Sequence, residues 1–312
     1  MISITRKYRE KLKSVLHGFF VLAQRCGWDI LPRYFYSSIP AIHELRQKDD
    51  WKRASSLMGV NGTDLYKQLA FLRSCCTPSL QERIKQSSIH NYACGENDHS
   101  GGFGPIEAEV LFCYISTKRP RKIVQIGCGV STAVILLAAK EANYEPEIIC
   151  IEPYPSNYLM RAAQEKLIEL VSKPAQDVDL EVLTGIGEGD LFFVDSTHSV
   201  RPGSEVNRII LEVLPRLPTG STVHFHDIFF PYDYQPSLMT NLFFHGESTL
   251  LHAFLINNQR YSIAVSLCML HHGCPGELQS ILGNYTPALT DHGLWKTKGE
   301  GHLPSSAYLI VS

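Results

Sequence analysis

Lys122-Ile-Val-Gln-Ile-Gly-Cys-Gly-Val-Ser-Thr132 is the stretch whose reading decides the fold. Ile123, Val124 and Ile126 predict a short buried strand, and Gly127-Cys128-Gly129 a bend that lets backbone come close to another group. Ser131 and Thr132 then open an apolar helix running through Ala139. Strand, Gly-x-Gly and helix N-terminus together form the start of a nucleotide-binding α/β unit. About twenty residues beyond Gly129, Glu152 closes a second strand, Glu147-Ile-Ile-Cys-Ile151, where an acid can hold the two hydroxyls of a ribose. A nucleoside-bearing cofactor is the expectation. The third glycine of a dinucleotide fingerprint is missing, since Thr132 stands in its place, and this disfavours an NAD-type ligand.

Outward from this stretch, strands are expected at 122–127, 147–152, 168–172, 190–195, 221–227, 261–268 and 306–311. Helices are expected near 131–142, 156–167, 204–214 and 246–258. This alternation predicts a doubly wound, seven-stranded, mostly parallel sheet covered on both faces. The last two strands, separated by a turn-rich excursion from His271 to Gly301, should form a final antiparallel hairpin. Residues 1–95 read as a helical N-terminal region acting as lid or docking surface, and 96–312 as the cofactor-binding domain. Within the first region, Arg33-Tyr-Phe-Tyr-Ser-Ser-Ile-Pro40 is an aromatic-rich loop. A Gly-rich loop, Asn97 to Pro105, precedes the first strand.

Composition excludes some classes. The net charge of −2 gives no basic excess for a nucleic-acid partner. Nine cysteines, without metal-ligand spacing and mostly in apolar surroundings, fit a reducing compartment, so a cytoplasmic location is expected. Arg6, Lys7, Arg9, Lys11 and Lys13 precede the apolar run Val15 to Ala23. That run is too short to span a bilayer, contains His17 and lacks a cleavage site. An amphipathic helix is the reading preferred to a signal peptide.

Two further groups carry chemistry. Asp195-Ser-Thr-His198 ends the fourth strand, and His224-Phe-His-Asp227 ends the fifth. Carboxyl ends of neighbouring parallel strands face the ligand crevice, so Asp195, His198, His226 and Asp227 should converge there. The His-x-His-Asp order lacks the longer spacing of metallo-hydrolases.

The order Gln125-Ile-Gly-Cys-Gly129, Glu152, Gln176-Asp-Val178 and Asp195 resembles the class I S-adenosylmethionine-dependent methyltransferases, over about residues 95–312. The resemblance implies that S-adenosylmethionine is held by Gln125, Gly127, Gly129, Ser131, Thr132, Glu152 and Asp195, with Gln176, Asp177 and Val178 flanking the adenine. The family usually carries an acid at the position of Gln125, so a weaker hold on the cofactor's amino group is expected there. Within the family the chain looks nearest the macrocin O-methyltransferase and cephalosporin-hydroxylase-like branch. That likeness implies a divalent cation on Asp195, His226 and Asp227, with nitrogen ligation favouring manganese, iron or zinc over magnesium. The expected reaction is methyl transfer to an oxygen or nitrogen of a small molecule, with His198 or His226 as base and Asp195 near the methyl group. Alternatives are a metal-dependent hydrolase or hydroxylase-like enzyme on this fold and a non-catalytic cofactor-binding protein. A small-molecule acceptor is the expected partner, and homodimerisation is left open.

Overall fold

The computed structural model describes every residue but Met1, Tyr34, Ser100 and Lys298, with residues 2–10 as backbone only. The expectations placed on Tyr34 and Ser100 therefore lie outside the described residues. The chain forms two compact units, Met1–Asp49 and Asp50–Ser312.

The first unit contains a long helix α1 (Ile2–Arg25) and a single helical turn α2 (Ile42–Leu45). Between them Arg33 pairs with Glu44 at 3.0 Å, and Phe35 packs edge-on against Tyr36.

In the second unit, helices α3 (Leu65–Cys75), α4 (Pro78–Gln86), α5 (Ile89–Glu96) and α6 (Pro105–Lys118) lead into the sheet. The alternating part runs β1 (Lys122–Ile126), α7 (Val130–Glu141), β2 (Glu147–Ile151), α8 (Asn157–Gln164), β3 (Glu169–Val171), α9 (Leu180–Leu183) and β4 (Leu191–Val194). It continues with α10 (Glu205–Arg208), β5 (Thr222–Phe225), α11 (Glu247–Leu255) and β6 (Tyr261–Ser266). After helices α12 (Leu267–Gly273) and α13 (Pro275–Ile281) come a small hairpin, β7 (Thr290–Asp291) with β8 (Leu294–Trp295), and the last sheet strand β9 (Ala307–Val311).

The seven-stranded sheet has the order β3-β2-β1-β4-β5-β9-β6. Strands β1 to β5 pair in parallel, while β9 runs antiparallel to both β5 and β6, as the expected final hairpin requires. All seven expected strands form. The excursion after β6 is more ordered than its turn-rich sequence suggested. Ser266 caps α12 through Met269 N, and Leu267, Leu270, Leu278 and Ile281 turn inward to join the core.

Each central strand is buried on both sides, which explains its continuous apolar sequence. Period-two alternation divides its side chains between two cores. Ile123, Ile148, Leu191 and Phe193 pack with α3 to α8 on one face. Val124, Ile149, Phe192 and Phe225 meet Ile209, Ile210 and Leu251 on the other.

The compact units divide at 49/50, whereas the expected boundary is 95/96, and residues 59–68 bond the far edge of the sheet. Ile263 N of β6 donates to Asn61 O at 3.0 Å, and Asn257 N to Gly59 O at 2.8 Å. The fully buried Gln68 amide donates to Gly62 O and accepts from Ser266 N. Gly62 has φ +83°, and a Cβ there would lie 2.1 Å from Ile263 O. Strain and a backbone collision act together, so Gly62→Ala should cost about 2–4 kcal/mol. Chemical denaturation followed by circular dichroism checks this; an unchanged midpoint would mean that the segment does not depend on the β6 edge.

Candidate cofactor cleft and the adjoining histidine–carboxylate cluster

Strand order reverses between β1 and β4, and in parallel sheets the ligand crevice opens at such a point. A cleft of about 240 Å³ lies there, lined by Asn97, Gly101 to Phe103, Gly127 to Ser131, Glu152 and Asp195. The bend after β1 exists because of its neighbour. Gly127 has φ +76°, and any Cβ would stand 1.5 Å from the carbonyl oxygen of Asp195. Gly129, at φ +150°, lies against the Asn97 amide. No other residue type fits the first position without moving β4 away from β1.

Glu152 follows β2 and points at this bend. Its carboxylate accepts from Cys128 N at 3.3 Å and from Tyr154 N at 3.0 Å, and it lines the cleft. Backbone donors thus fix its orientation while the group stays partly open to solvent.

Gln125 takes a different part from the expected one. It is fully buried and absent from the cleft wall. Its amide nitrogen donates to Ser131 Oγ at 2.7 Å, and its oxygen accepts from Thr132 Oγ1 at 2.9 Å. Thr132 Oγ1 in turn accepts from Gly129 N at 3.1 Å. The amide therefore ties the end of β1 to the first turn of α7. Because Ser131 Oγ accepts from Gln125, its hydroxyl hydrogen is left to donate into the cleft that Ser131 lines. A carboxylate at 125 could only accept and would take that hydrogen itself.

The residues after β3 also differ from expectation. Gln176 is half-buried and its carbonyl accepts from Arg208, Asp177 is exposed, and Val178 packs in the core. None of the three lines the cleft.

The second constellation converges as its sequence predicted. His198 and Asp227 both adopt left-handed backbone, φ +57° and +55°, which turns their side chains back over the strand ends. His198 Nε2 stands 3.6 Å from Asp195 Oδ1 and 3.7 Å from Asp227 Oδ2. Its Nδ1 bonds Glu247 Oε2 at 2.7 Å, in the first turn of α11, and Glu247 is fully buried. His226 sits beside them with Nε2 3.6 Å from Asp227 Oδ1, Nδ1 3.4 Å from Ser306 Oγ, and its ring 4.8 Å from Phe103. Ser305 Oγ donates to Asp227 Oδ1 at 2.9 Å.

Burial pushes the His198 pKa down, but Asp195, Glu247 and Asp227 outweigh it and hold the imidazole well above the ordinary histidine range. Burial likewise opposes protonation of His226, and Asp227, Asp195 and Glu107 reverse it, so His226 is raised too. Asp227 is lowered: burial would raise it, but His226, His198 and the Ser305 bond prevail. Three carboxylates thus favour the protonated form of His198. His198 Nε2 lies within 3.7 Å of both Asp195 and Asp227, and His226 bonds Ser306 and faces Asp227. Among the described residues no group of three or more His, Cys, Asp or Glu side chains is placed to hold a metal ion. The expected ligand set Asp195, His226 and Asp227 is not among such groups.

Glu247, Asn97 and Phe103 were not singled out as site residues from the sequence. Asn97 and Phe103 belong to the Gly-rich loop already noticed, so a signal was present. Glu247 lies far along the chain in an ordinary helical start, and only the packing of α11 reveals it. Phe229, Phe230 and Tyr234, just past β5, are buried, and Arg201 is exposed.

Known proteins share parts of this chain. The methyltransferase-domain family matches residues 124–228. An uncharacterized protein of Archaeoglobus fulgidus is 34% identical over 182 residues, covering 57% of this chain and 80% of that one. Among solved structures, the SAH-bound methyltransferase PaMTH1 of Podospora anserina is 15% identical, with 72% of this chain and 88% of that chain covered and a TM-score of 0.41. The plantazolicin methyltransferase BamL, in complex with a triazolic desmethylPZN analog and SAH, is 13% identical, with 79% and 96% covered and a TM-score of 0.39. The family match begins inside β1 and ends just past β5, so it spans the glycine bend, Glu152 and both strand-end clusters. Over that span, residues 124–228, the chain carries a methyltransferase domain.

Proposed function

We propose that this chain transfers a methyl group from S-adenosylmethionine to an oxygen or nitrogen of a small molecule, with His198 as the base. The observation that carries the reading is Asp195, which lines the cleft with one side of its residue and pairs with His198 on the other. Cofactor and base thus share one wall. When bound, the cofactor supplies a methyl group on a sulfonium, ready for in-line displacement. Glu152 would accept the ribose hydroxyls, the Gly127–Gly129 backbone would lie against the nucleoside, and Ser131 would donate its free hydrogen. The SAH named in the two solved methyltransferases above agrees with this choice of cofactor.

Glu247 fixes the ring of His198 by holding Nδ1, so that Nε2 is the nitrogen that exchanges a proton with the acceptor. In methyl transfer, the proton given up by the acceptor nucleophile would pass to Nε2. His226, locked between Ser306 and Asp227, is better suited to hold Asp227 in place. The nine cysteines are all unpaired, which supports a reducing, cytoplasmic setting. Among the described residues no helix is long and apolar enough to cross a membrane.

Loss of the Glu152 carboxylate removes charged hydrogen bonds worth about 1.5–3 kcal/mol each. Glu152→Ala should therefore weaken S-adenosylmethionine binding by roughly 30-fold or more in calorimetry. Unchanged affinity would remove the ribose assignment.

A base must be neutral to act. Since His198 is raised, kcat/KM should climb with pH through a pKa above the ordinary histidine value, and fall off below it. Glu247→Gln removes one negative charge, stabilises the imidazolium less, and should move that limb to lower pH while reducing the maximal rate. His198→Ala should lower the rate by about 10²–10⁴-fold. A limb that stays in place in Glu247→Gln, or an active His198→Ala, would assign the base elsewhere.

Because His198 faces Asp195 and Asp227 within 3.7 Å, turnover should persist with a strong chelator present. Loss of activity that added manganese or zinc restores would return the metal reading.

A further inference from the structure

We infer that α1 is a membrane-surface helix, lying in the headgroup region of an anionic lipid bilayer and holding the chain there. Leu12, Val15, Leu16, Phe19 and Leu22 stand 42–68% exposed. At 3.6 residues per turn these five fall within roughly a third of the helix circumference. Lys13, His17, Gln24 and Arg25 lie on the rest, so the helix has one apolar stripe and one polar face. The long helix α6, by contrast, hides both sides in the core.

The apolar exposure continues past the helix. Trp28 is 69% exposed, and Ile30, Leu31, Phe35 and Tyr36 follow it in the open. An indole beside an apolar helical stripe suits the membrane–water interface, where an amphipathic ring can sit at headgroup depth.

Charge selects the occupant of this face. Arg6, Lys7, Arg9, Lys11, Lys13 and Arg25 belong to the α1 sequence, against Glu10 as its single acid. The whole chain is slightly acidic, so the positive charge is concentrated here. A basic polar face with an apolar stripe is the pattern of helices that lie on anionic lipid. A second copy of α1 is the poorer partner. Two apolar seams of this length would bring basic residues against basic residues, with almost no acids to form the flanking ion pairs that coiled coils use. Among the described residues no helix is long and apolar enough to span, so α1 would lie on the surface rather than cross it. This inference does not rest on the proposed methyl transfer.

Flotation of the full chain with vesicles tests it, using phosphatidylcholine containing about 30% phosphatidylglycerol beside phosphatidylcholine alone. The chain should float with the anionic vesicles, not with the neutral ones, and be released at high salt. Leu16→Glu with Phe19→Glu should abolish flotation while the thermal melt stays as in the unchanged chain. Lys11→Glu with Lys13→Glu should weaken binding by roughly tenfold or more. Equal binding to neutral vesicles, no binding to anionic ones, or full binding by the Leu16→Glu, Phe19→Glu variant would each overturn the inference. So would a lipid-independent dimer in sedimentation that the same double substitution splits, since the stripe would then belong to a second copy.

Discussion

The carbonyl oxygen of Asp195 occupies the place where a side chain at residue 127 would begin, and this contact sets the terms for everything around it. It lets the end of β1 lie directly against the end of β4 at the point where strand order reverses. The bend can then close tightly, bring Cys128 N to Glu152, and aim the first turn of α7 at the same cleft. The buried Gln125 amide secures the arrangement from below, through Ser131 and Thr132. Backbone approach of this kind is unforgiving, because a packed interior transmits displacement rather than absorbing it.

The cluster beyond Asp195 works against burial. Five ionisable groups sit close together with little solvent, an arrangement whose desolvation is costly unless charges are matched. Here two histidines face three carboxylates, and Asp227 gains a hydroxyl from Ser305 as well. Glu247 is the least comfortable member: burial raises its pKa, and its Oε1 has no hydrogen-bond partner among the described residues. Such tension is common where groups are arranged for proton exchange rather than for stability.

The two compact units differ in how they spend their apolar residues. The sheet unit divides its side chains between two dry cores, whereas the first unit leaves a stripe of leucine, valine and phenylalanine in the open. A large exposed apolar surface on one short segment marks a contact surface rather than a defect of folding.

Much of this was legible in the sequence. Period and composition placed all seven strands, and Gly127, Gly129, Glu152 and Asp195 were identified as neighbours of one cleft because their spacing follows strand and turn geometry. Asp195 and His198 were read together, as were His226 and Asp227, since they are local to strand ends. What local pattern could not supply was the partner on a distant element. Gln125 looked like a weakened cofactor ligand until its amide proved to be the tie between β1 and α7. Glu247 carries no motif, and Gln176 to Val178 were placed by resemblance alone. The reach of residues 59–68 to the β6 edge was hidden too, because helical sequence does not say which strand it will cover. The sequence by itself determined the strand and turn geometry, through period and backbone freedom. Only the tertiary structure decided which charges would share a buried volume, because desolvation and pairing depend on distance in space.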